Sequence, residues 1–339
     1  MENINQQAKE LIREHLTFWE LAQVNYAALE KVQTRTLEVN GYPVILQFNP
    51  ERIRSSAAKI DKQSLAARPC FLCEANRPGN QRWIDFGGEY QIMVNPYPIF
   101  REHLTIPIRA HQEQRLFSRY KDMLSLAEVL TDFIIFYNGP KCGASAPDHM
   151  HFQAGNRGFL PLETNWRKAR KEVVFSAGQA TLFALRDFLQ PMFVLVSADK
   201  EDSVALFNHL YALLPIRAEE YEPMMNVLVW TEAGQWITCV YPRKKLHPAC
   251  YYAEGDANIL ISPATVEMAG VFITPLEKDF RKVTSGDLQQ IISETCLSAE
   301  EMDQLISKSK SYFLRKQNEH PPGAGYPRSI LQRHCLMLP

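Results

Sequence analysis

At 339 residues, 46% hydrophobic and 22% charged, the chain can bury a sizeable core and exceeds one typical domain of ~100–200 residues, so one large domain or two fused halves are both open. A formal net charge of -1 excludes a global basic field for nucleic acid, so any anion must be gripped locally. Residues 1–7 are polar and unlike a secretory signal, and no apolar run approaches the ~18 residues of a membrane span, so a soluble cytoplasmic protein with no membrane or nucleic-acid partner is expected. Its seven cysteines then sit in a reducing compartment, where a close pair points to a metal or redox site rather than a disulfide.

Over residues 8–32, Leu11, Ile12, Leu16, Trp19 and Leu21 recur at helical spacing. Residues 36–39 and 44–48 flank Asn40-Gly41, the strongest short signal for a type I′ hairpin. A polar stretch with Arg52, Arg54, Lys59 and Lys62 leads into Cys70-x-x-Cys73. Strands are expected at 90–94 and 104–108, a helix over 114–130, and a buried strand at 133–137. A loop over 138–148 and a strand from His149 follow. The second half repeats this texture with a helix over 204–214, a hairpin of 227–230 with 236–241, and strands at 258–261 and 270–274. Ser298 and Glu301 form a capping box ahead of a terminal helix over 302–313, and the Pro-rich segment 320–323 reads as a loop. The expectation is an α+β protein with mainly antiparallel sheets flanked by helices.

The chemistry concentrates in residues 136–153. On a strand from His149, the side chains of His149, His151 and Gln153 share one face while Met150 and Phe152 enter the core. The preceding Gly/Ser-rich loop offers backbone N–H groups and a hydroxyl to phosphate oxygens, and a neutral histidine can attack phosphorus. Cys70-x-x-Cys73 is open between redox and zinc. A redox pair calls for a thioredoxin-like βαβ context, which is not evident, whereas zinc needs two further ligands. His111 and His149 are candidates, with His103 competing.

Taken together, Cys70-Phe-Leu-Cys73, Asn95-Pro-Tyr-Pro98, the segment 103–111 and His149-x-His151-x-Gln153 resemble the histidine-triad superfamily. The likeness covers residues 45–160 and is strongest to the transferase branch: galactose-1-phosphate uridylyltransferase, ADP- and GDP-hexose phosphorylases and diadenosine tetraphosphate phosphorylases. The resemblance implies a HIT-like fold of two related halves, 1–180 with the zinc and catalytic histidine and 181–339 completing the substrate site. It makes His151 a nucleophile that becomes nucleotidylated and Gln153 a hydrogen-bonding partner of the phosphoryl group. It makes Cys70, Cys73, His111 and His149 the ligands of a structural zinc. Asn95 corresponds to a ribose-holding residue, and Asn138, Gly143 and Ser145 to the loop around the phosphates. Arg52 and Arg54 resemble an arginine pair near the diphosphate, and residues 263–270, with Glu267, echo the second half of such enzymes.

Two departures stand out: Asp148 lengthens the gap between Ser145 and the first histidine, and no second metal site is evident. Arg243, Lys244, Lys245 and His247 could meet a substrate phosphate from the second half, or simply end a strand. The activity implied is nucleotidyl transfer from a nucleotide sugar or dinucleotide to phosphate or a sugar phosphate, with a homodimer open. A nucleoside diphosphate sugar phosphorylase is favoured over a hexose-1-phosphate uridylyltransferase or a dinucleoside polyphosphate phosphorylase. A triad-type hydrolase, which Gln153 disfavours, and a catalytically silent zinc-containing nucleotide-binding protein are the rival classes.

Overall fold

The computed structural model describes residues 3–53, 63–64 and 67–319. Arg54, Lys59, Lys62 and the segment 320–323 lie outside the described residues.

The expected N-terminal helix is two helices, Ile4–Phe18 and Glu20–Leu29, because Trp19 turns extended (φ -98°, ψ 95°) to bury its ring. The hairpin follows as β1 (Gln33–Val39) and β2 (Tyr42–Phe48). Asn40 and Gly41 take φ of 50° and 80°, the paired left-handed geometry of a type I′ turn. On the far edge of β2 lies β13 (Val271–Thr274), parallel to it, so chain from both ends builds one three-stranded sheet, β1-β2-β13.

The other strands form a continuous ten-stranded sheet. In chain order they are β3 (Trp83–Phe86), β4 (Tyr90–Val94), β5 (His103–Pro107), β6 (Phe133–Asn138) and β7 (His151–Asn156). Then come β8 (Lys171–Ala177), β9 (Ala180–Leu185), β10 (Met192–Ser197), β11 (Met225–Glu232) and β12 (Gln235–Pro242). Their order across the sheet is β3-β4-β5-β7-β6-β11-β12-β10-β9-β8. From either edge inward the topology is the same: β3-β4-β5-β7-β6 on one side, β8-β9-β10-β12-β11 on the other. Each set carries a helix between its third and fourth strands in sequence, Tyr120–Val129 and Lys200–Leu213. The two halves meet at the antiparallel pair β6·β11, where Asn138 faces Asn226.

Alternation splits the sheet into two buried faces. Phe152, Ala154, Val227, Val229 and Val240 pack under the N-terminal and the two crossover helices. Ile134, Phe136, Leu228, Trp230, Ile237 and Cys239 face the other way, toward the small sheet and residues 266–273. The terminal helix Ala299–Glu319 opens as expected, with Ser298 Oγ accepting from Glu301 N at 3.2 Å and Glu301 Oε2 from Ser298 N at 2.7 Å.

Three expectations are corrected. Residues 258–261 form no strand, because Ile259 N donates to Cys250 O and Leu260 N to Asp279 Oδ2 instead of to a ladder. The helix assigned to 114–130 starts at Tyr120, since the segment before it serves as a buried loop. Strand β7 begins at His151, because His149 closes a turn onto Ala146 O at 3.1 Å.

Candidate active site

A cavity of about 780 Å³ opens beside β7 and takes walls from both halves. His151 and Gln153 project into it, with Asn95, Asn138, Gly143, Ser145 and Arg52 around them. Across from these stand Ser262, Ala264, Val266 and Glu267.

His151 is buried, and its ring is oriented by its own strand. Nδ1 lies 2.8 Å from the carbonyl oxygen of His149, an acceptor only, so Nδ1 carries the proton and Nε2 keeps its lone pair. Burial pushes the pKa down to about 4, so the ring is neutral near pH 7. Opposite His151 in the ladder is Pro107, which has no N–H to give. The fully buried side chain of Gln114 takes over, accepting from His151 N at 2.8 Å and donating to His151 O and Asn138 O, both at 3.0 Å. It ties the strand of His151 to the end of β6. Sequence reasoning missed it.

Gln153 is aligned by a second relay. Ile99 N donates to His103 Nδ1 at 3.1 Å, so the His103 proton sits on Nε2 and is donated to Gln153 Oε1 at 3.1 Å. Burial holds His103 neutral, with its pKa down to about 3. With its oxygen engaged, Gln153 has its amide N–H left for an anion. Asn95 adjoins the pair, with Nδ2 3.4 Å from Gln153 Oε1 and Oδ1 accepting from Tyr97 N at 2.9 Å. His103 thus lies behind the cavity, acting through Gln153, and not with the cysteine pair.

The metal-type cluster lies beyond the other end of this segment. Ligand atoms of Cys70, Cys73, His111 and His149 all fall within 4.8 Å of one another. Cys70 Sγ is 3.3 Å and Cys73 Sγ 3.5 Å from His149 Nδ1, and Cys73 Sγ is 3.2 Å from His111 Nδ1. One tetrahedral ion holding sulfur at ~2.3 Å and nitrogen at ~2.0–2.1 Å spaces its ligand atoms about 3.5 Å apart, so this set fits. His149 Nε2–H donates to Ile108 O at 2.7 Å, which leaves Nδ1 as the coordinating atom. Burial raises the Cys70 thiol to about 11, so deprotonation there calls for a cation. The cluster can bind a metal.

The second half contributes more than the weak echo implied. Gly143 has φ +97°, and a Cβ there would lie 2.4 Å from that of Ala264, so residues 263–267 press directly on the loop after β6. Glu267 Oε2 caps that turn through Ala264 N at 2.8 Å, and burial raises its pKa. Arg52 donates to Tyr97 O at 2.8 Å, and burial lowers its pKa to about 10 against the nearby Glu267 charge. Ser145 borders the cavity while its carbonyl accepts from Arg68. The additional residue Asp148 is drawn sideways, 3.7 Å from Arg68 and 3.9 Å from His111.

Arg243, Lys244, Lys245 and His247 do not border the cavity. Arg243 is buried and spent on oxygen acceptors, and His247 stacks on Tyr251 with Nε2 3.0 Å from Ser262 Oγ. Of this run only Arg243 turns fully inward, as a structural residue, while Lys244 is half-buried and Lys245 exposed, both away from the cavity.

The fold defined by these halves is shared with solved structures of low sequence identity. The crystal structure of yeast Ap4A phosphorylase Apa2 superposes with TM-score 0.53 at 17% identity, covering 86% of this chain and 95% of that one. Its complex with Ap4A gives 0.49 at 15% identity over 82% and 96%, and a uridylyltransferase mutant 0.42 at 11% over 84% and 98%. Residues 11–156 match the family described as a domain of unknown function, DUF4922. No curated protein matches the sequence. Among the described residues no helix is long and apolar enough to cross a membrane.

Proposed function

We propose that the chain is a nucleotidyltransferase that moves a nucleoside monophosphate by double displacement through His151. The observation that carries this reading is the ring's orientation: Nδ1 engaged by His149 O, Nε2 unprotonated at the wall of a large cavity. In the first step Nε2 attacks the α-phosphorus, a P–N bond forms, and the P–O bond to the leaving group breaks with its electron pair departing on that oxygen. In the second, an acceptor oxyanion attacks the same phosphorus and the electron pair returns to Nε2. The amide N–H of Gln153 and the loop amides around Gly143 and Ser145 meet the phosphoryl oxygens, where charge develops. Arg52 flanks the diphosphate, and Asn95 meets the ribose.

Zinc, the metal suited to two thiolates and two imidazoles, would be held by Cys70, Cys73, His111 and His149 as a closed structural ion that anchors the segment leading into β7. The donor is a nucleoside diphosphate sugar or a dinucleoside polyphosphate and the acceptor is inorganic phosphate. The cavity volume suits ligands of that size. The yeast structure of the same fold is described as an Ap4A phosphorylase, which supports the dinucleotide as the alternative to the sugar.

The test is a screen of α-labelled nucleoside diphosphate sugars and dinucleoside polyphosphates under single-turnover conditions. Wild type is expected to form an acid-labile, base-stable protein adduct that phosphate discharges, and His151→Ala to fold, keep its metal and lose turnover by several orders of magnitude. An adduct retained by His151→Ala, or an active wild type that never forms one, overturns the mechanism.

A further inference from the structure

Behind the cavity wall, at the seam between halves, lies a buried chain of oriented dipoles. Arg243 is 4% exposed, and among the described residues no carboxylate lies within ion-pair distance of it. Its guanidinium is solvated by neutral oxygens instead: Nε donates to Thr295 O, Nη1 to Pro263 O and Asn226 Oδ1, and Nη2 to Lys245 O and Leu246 O. A buried cation without an anion is costly, so its retention calls for a counter-charge nearby.

The chain of hydrogen bonds leads toward the cavity. Asn226 Oδ1 accepts from Arg243 at 2.7 Å, and a guanidinium has only donors, so the amide orientation of Asn226 is fixed. Its Nδ2 therefore donates forward, to Asn138 Oδ1 at 3.0 Å and Cys142 O at 2.7 Å. Asn138 Oδ1 also accepts from the backbone N of Thr265 at 2.9 Å, which fixes the second amide independently. Asn138 borders the cavity, and its Nδ2 has no hydrogen bond among the described residues. Each link accepts on the Arg243 side and donates on the cavity side.

We infer that Arg243 and Asn226 are positioning residues that fix Asn138 with its N–H toward the substrate's phosphate and place the field of an otherwise unmatched buried cation behind it. This inference rests on the nucleotidyl-transfer reading for the identity of the anion. It goes beyond that reading in assigning anion affinity to second-half residues that do not touch the ligand. Oriented amide dipoles in a dry wall favour an anion as donors in direct contact do, and they act much more weakly on uncharged groups. Their effect therefore separates phosphate-bearing ligands from nucleosides.

Calorimetric titration of inorganic phosphate, the common nucleoside 5′-monophosphates and the parent nucleosides tests it. Asn226→Asp is nearly isosteric, neutralises Arg243 and sets a carboxylate oxygen against Asn138 Oδ1 where an N–H stood, so the Asn138 amide, still held by Thr265 N, is pushed out of its place at the cavity wall. Phosphate and monophosphate affinity is expected to fall about 10–100-fold while nucleoside affinity and metal content hold, the range for misplacing a buried donor to a charged group. Arg243→Lys, which keeps the charge and loses the fork, is expected to lie between. Should Asn226→Asp fail to fold, Arg243→Gln is expected to show the same selective loss of phosphate affinity. A purely structural knot predicts a shift in melting temperature with unchanged phosphate affinity, and that result overturns the inference, as does an equal loss for nucleosides. A wild type that binds phosphate-bearing ligands but forms no His151 adduct removes the transfer reading and leaves the relay standing. A wild type that binds none of them removes the relay.

Discussion

Gln114 is the sharpest place to perturb the site without touching the cavity. Truncation to alanine removes an amide that satisfies His151 N–H, His151 C=O and Asn138 C=O, all in the interior. Each buried backbone group left unmade costs about 1–3 kcal/mol, the N–H most reliably, because a carbonyl retains a second lone pair. If one water enters the vacated volume and bridges two of the three, about 3 kcal/mol remains, including the lost packing. Because the same amide holds the backbone of His151, the proposed nucleophile, turnover is expected to fall about a hundredfold, the scale of a ~1 Å misplacement. Urea unfolding and single-turnover transfer measure the two effects on one preparation. Gln114→Glu keeps the acceptor for His151 N but turns an oxygen toward two carbonyls, so it should be impaired at pH 7 and partly recover in acid as the carboxyl becomes a donor. A Gln114→Ala enzyme within about 1 kcal/mol of wild type and fully active would refute the clamp.

Two further outcomes are expected. Elemental analysis should find about one zinc per chain, and Cys70→Ser should lower both zinc content and melting temperature more than it alters substrate choice, because a metal bound only by the folded state stabilises that state; a zinc-free, fully stable wild type sinks the assignment. His103 should make the fold acid-sensitive. Its folded pKa of about 3 lies below the unfolded value near 6.5, so between those limits the unfolded chain binds the extra proton. Stability from this group is complete above pH ~6.5 and declines by up to ~1.4 kcal/mol per pH unit as pH falls toward 3. Glu222, raised to about 7 by burial, works the opposite way over pH 4.5–7, so the comparison is with His103→Gln, whose unfolding free energy should lose less in acid than that of wild type. Parallel pH profiles for the two proteins would show that His103 does not titrate as described.

What could be read from sequence was local. Asn40-Gly41 dictates its turn because few residues other than Gly and Asn tolerate two successive positive φ values, and Ser298 with Glu301 satisfies donors on its own helix. The cysteine pair and the two histidines carry their chemistry in residue type and spacing, and the structure brings all four together. Gln114 was hidden because it continues the polar-apolar rhythm of the following helix, so nothing local marks it as loop. Residues 192–197, Met-Phe-Val-Leu-Val-Ser, form an apolar run whose periodicity does not separate a buried strand from a buried helix segment. Arg243 heads a charge run of the kind normally solvated. Its inward course depends on partners at Asn226, Pro263 and Thr295, which only the seam between the halves assembles.

That seam also shows why a duplicated topology yields a one-sided site. Strand β12 occupies in the second half the position β7 holds in the first, each lying between its half's third and fourth strands. On the face where β7 presents His151 and Gln153, β12 presents Ile237, Cys239 and Tyr241, all buried. These lie in the same core cluster as Val44 and Leu46 of the N-terminal hairpin and Phe272 and Ile273 of β13. The small sheet thus closes over one half's face as core and stops short of the other's, where Val266, Glu267 and Ile273 become a wall of the cavity. The hydrophobic cover that stabilises the second half is, at its edge, what bounds the pocket of the first. The two halves therefore need not carry equal chemistry: the first holds His151, the proposed nucleophile, and the Cys/His cluster that can bind a metal, while the second supplies the dry, polarised backing through Asn226, Ala264 and Arg243.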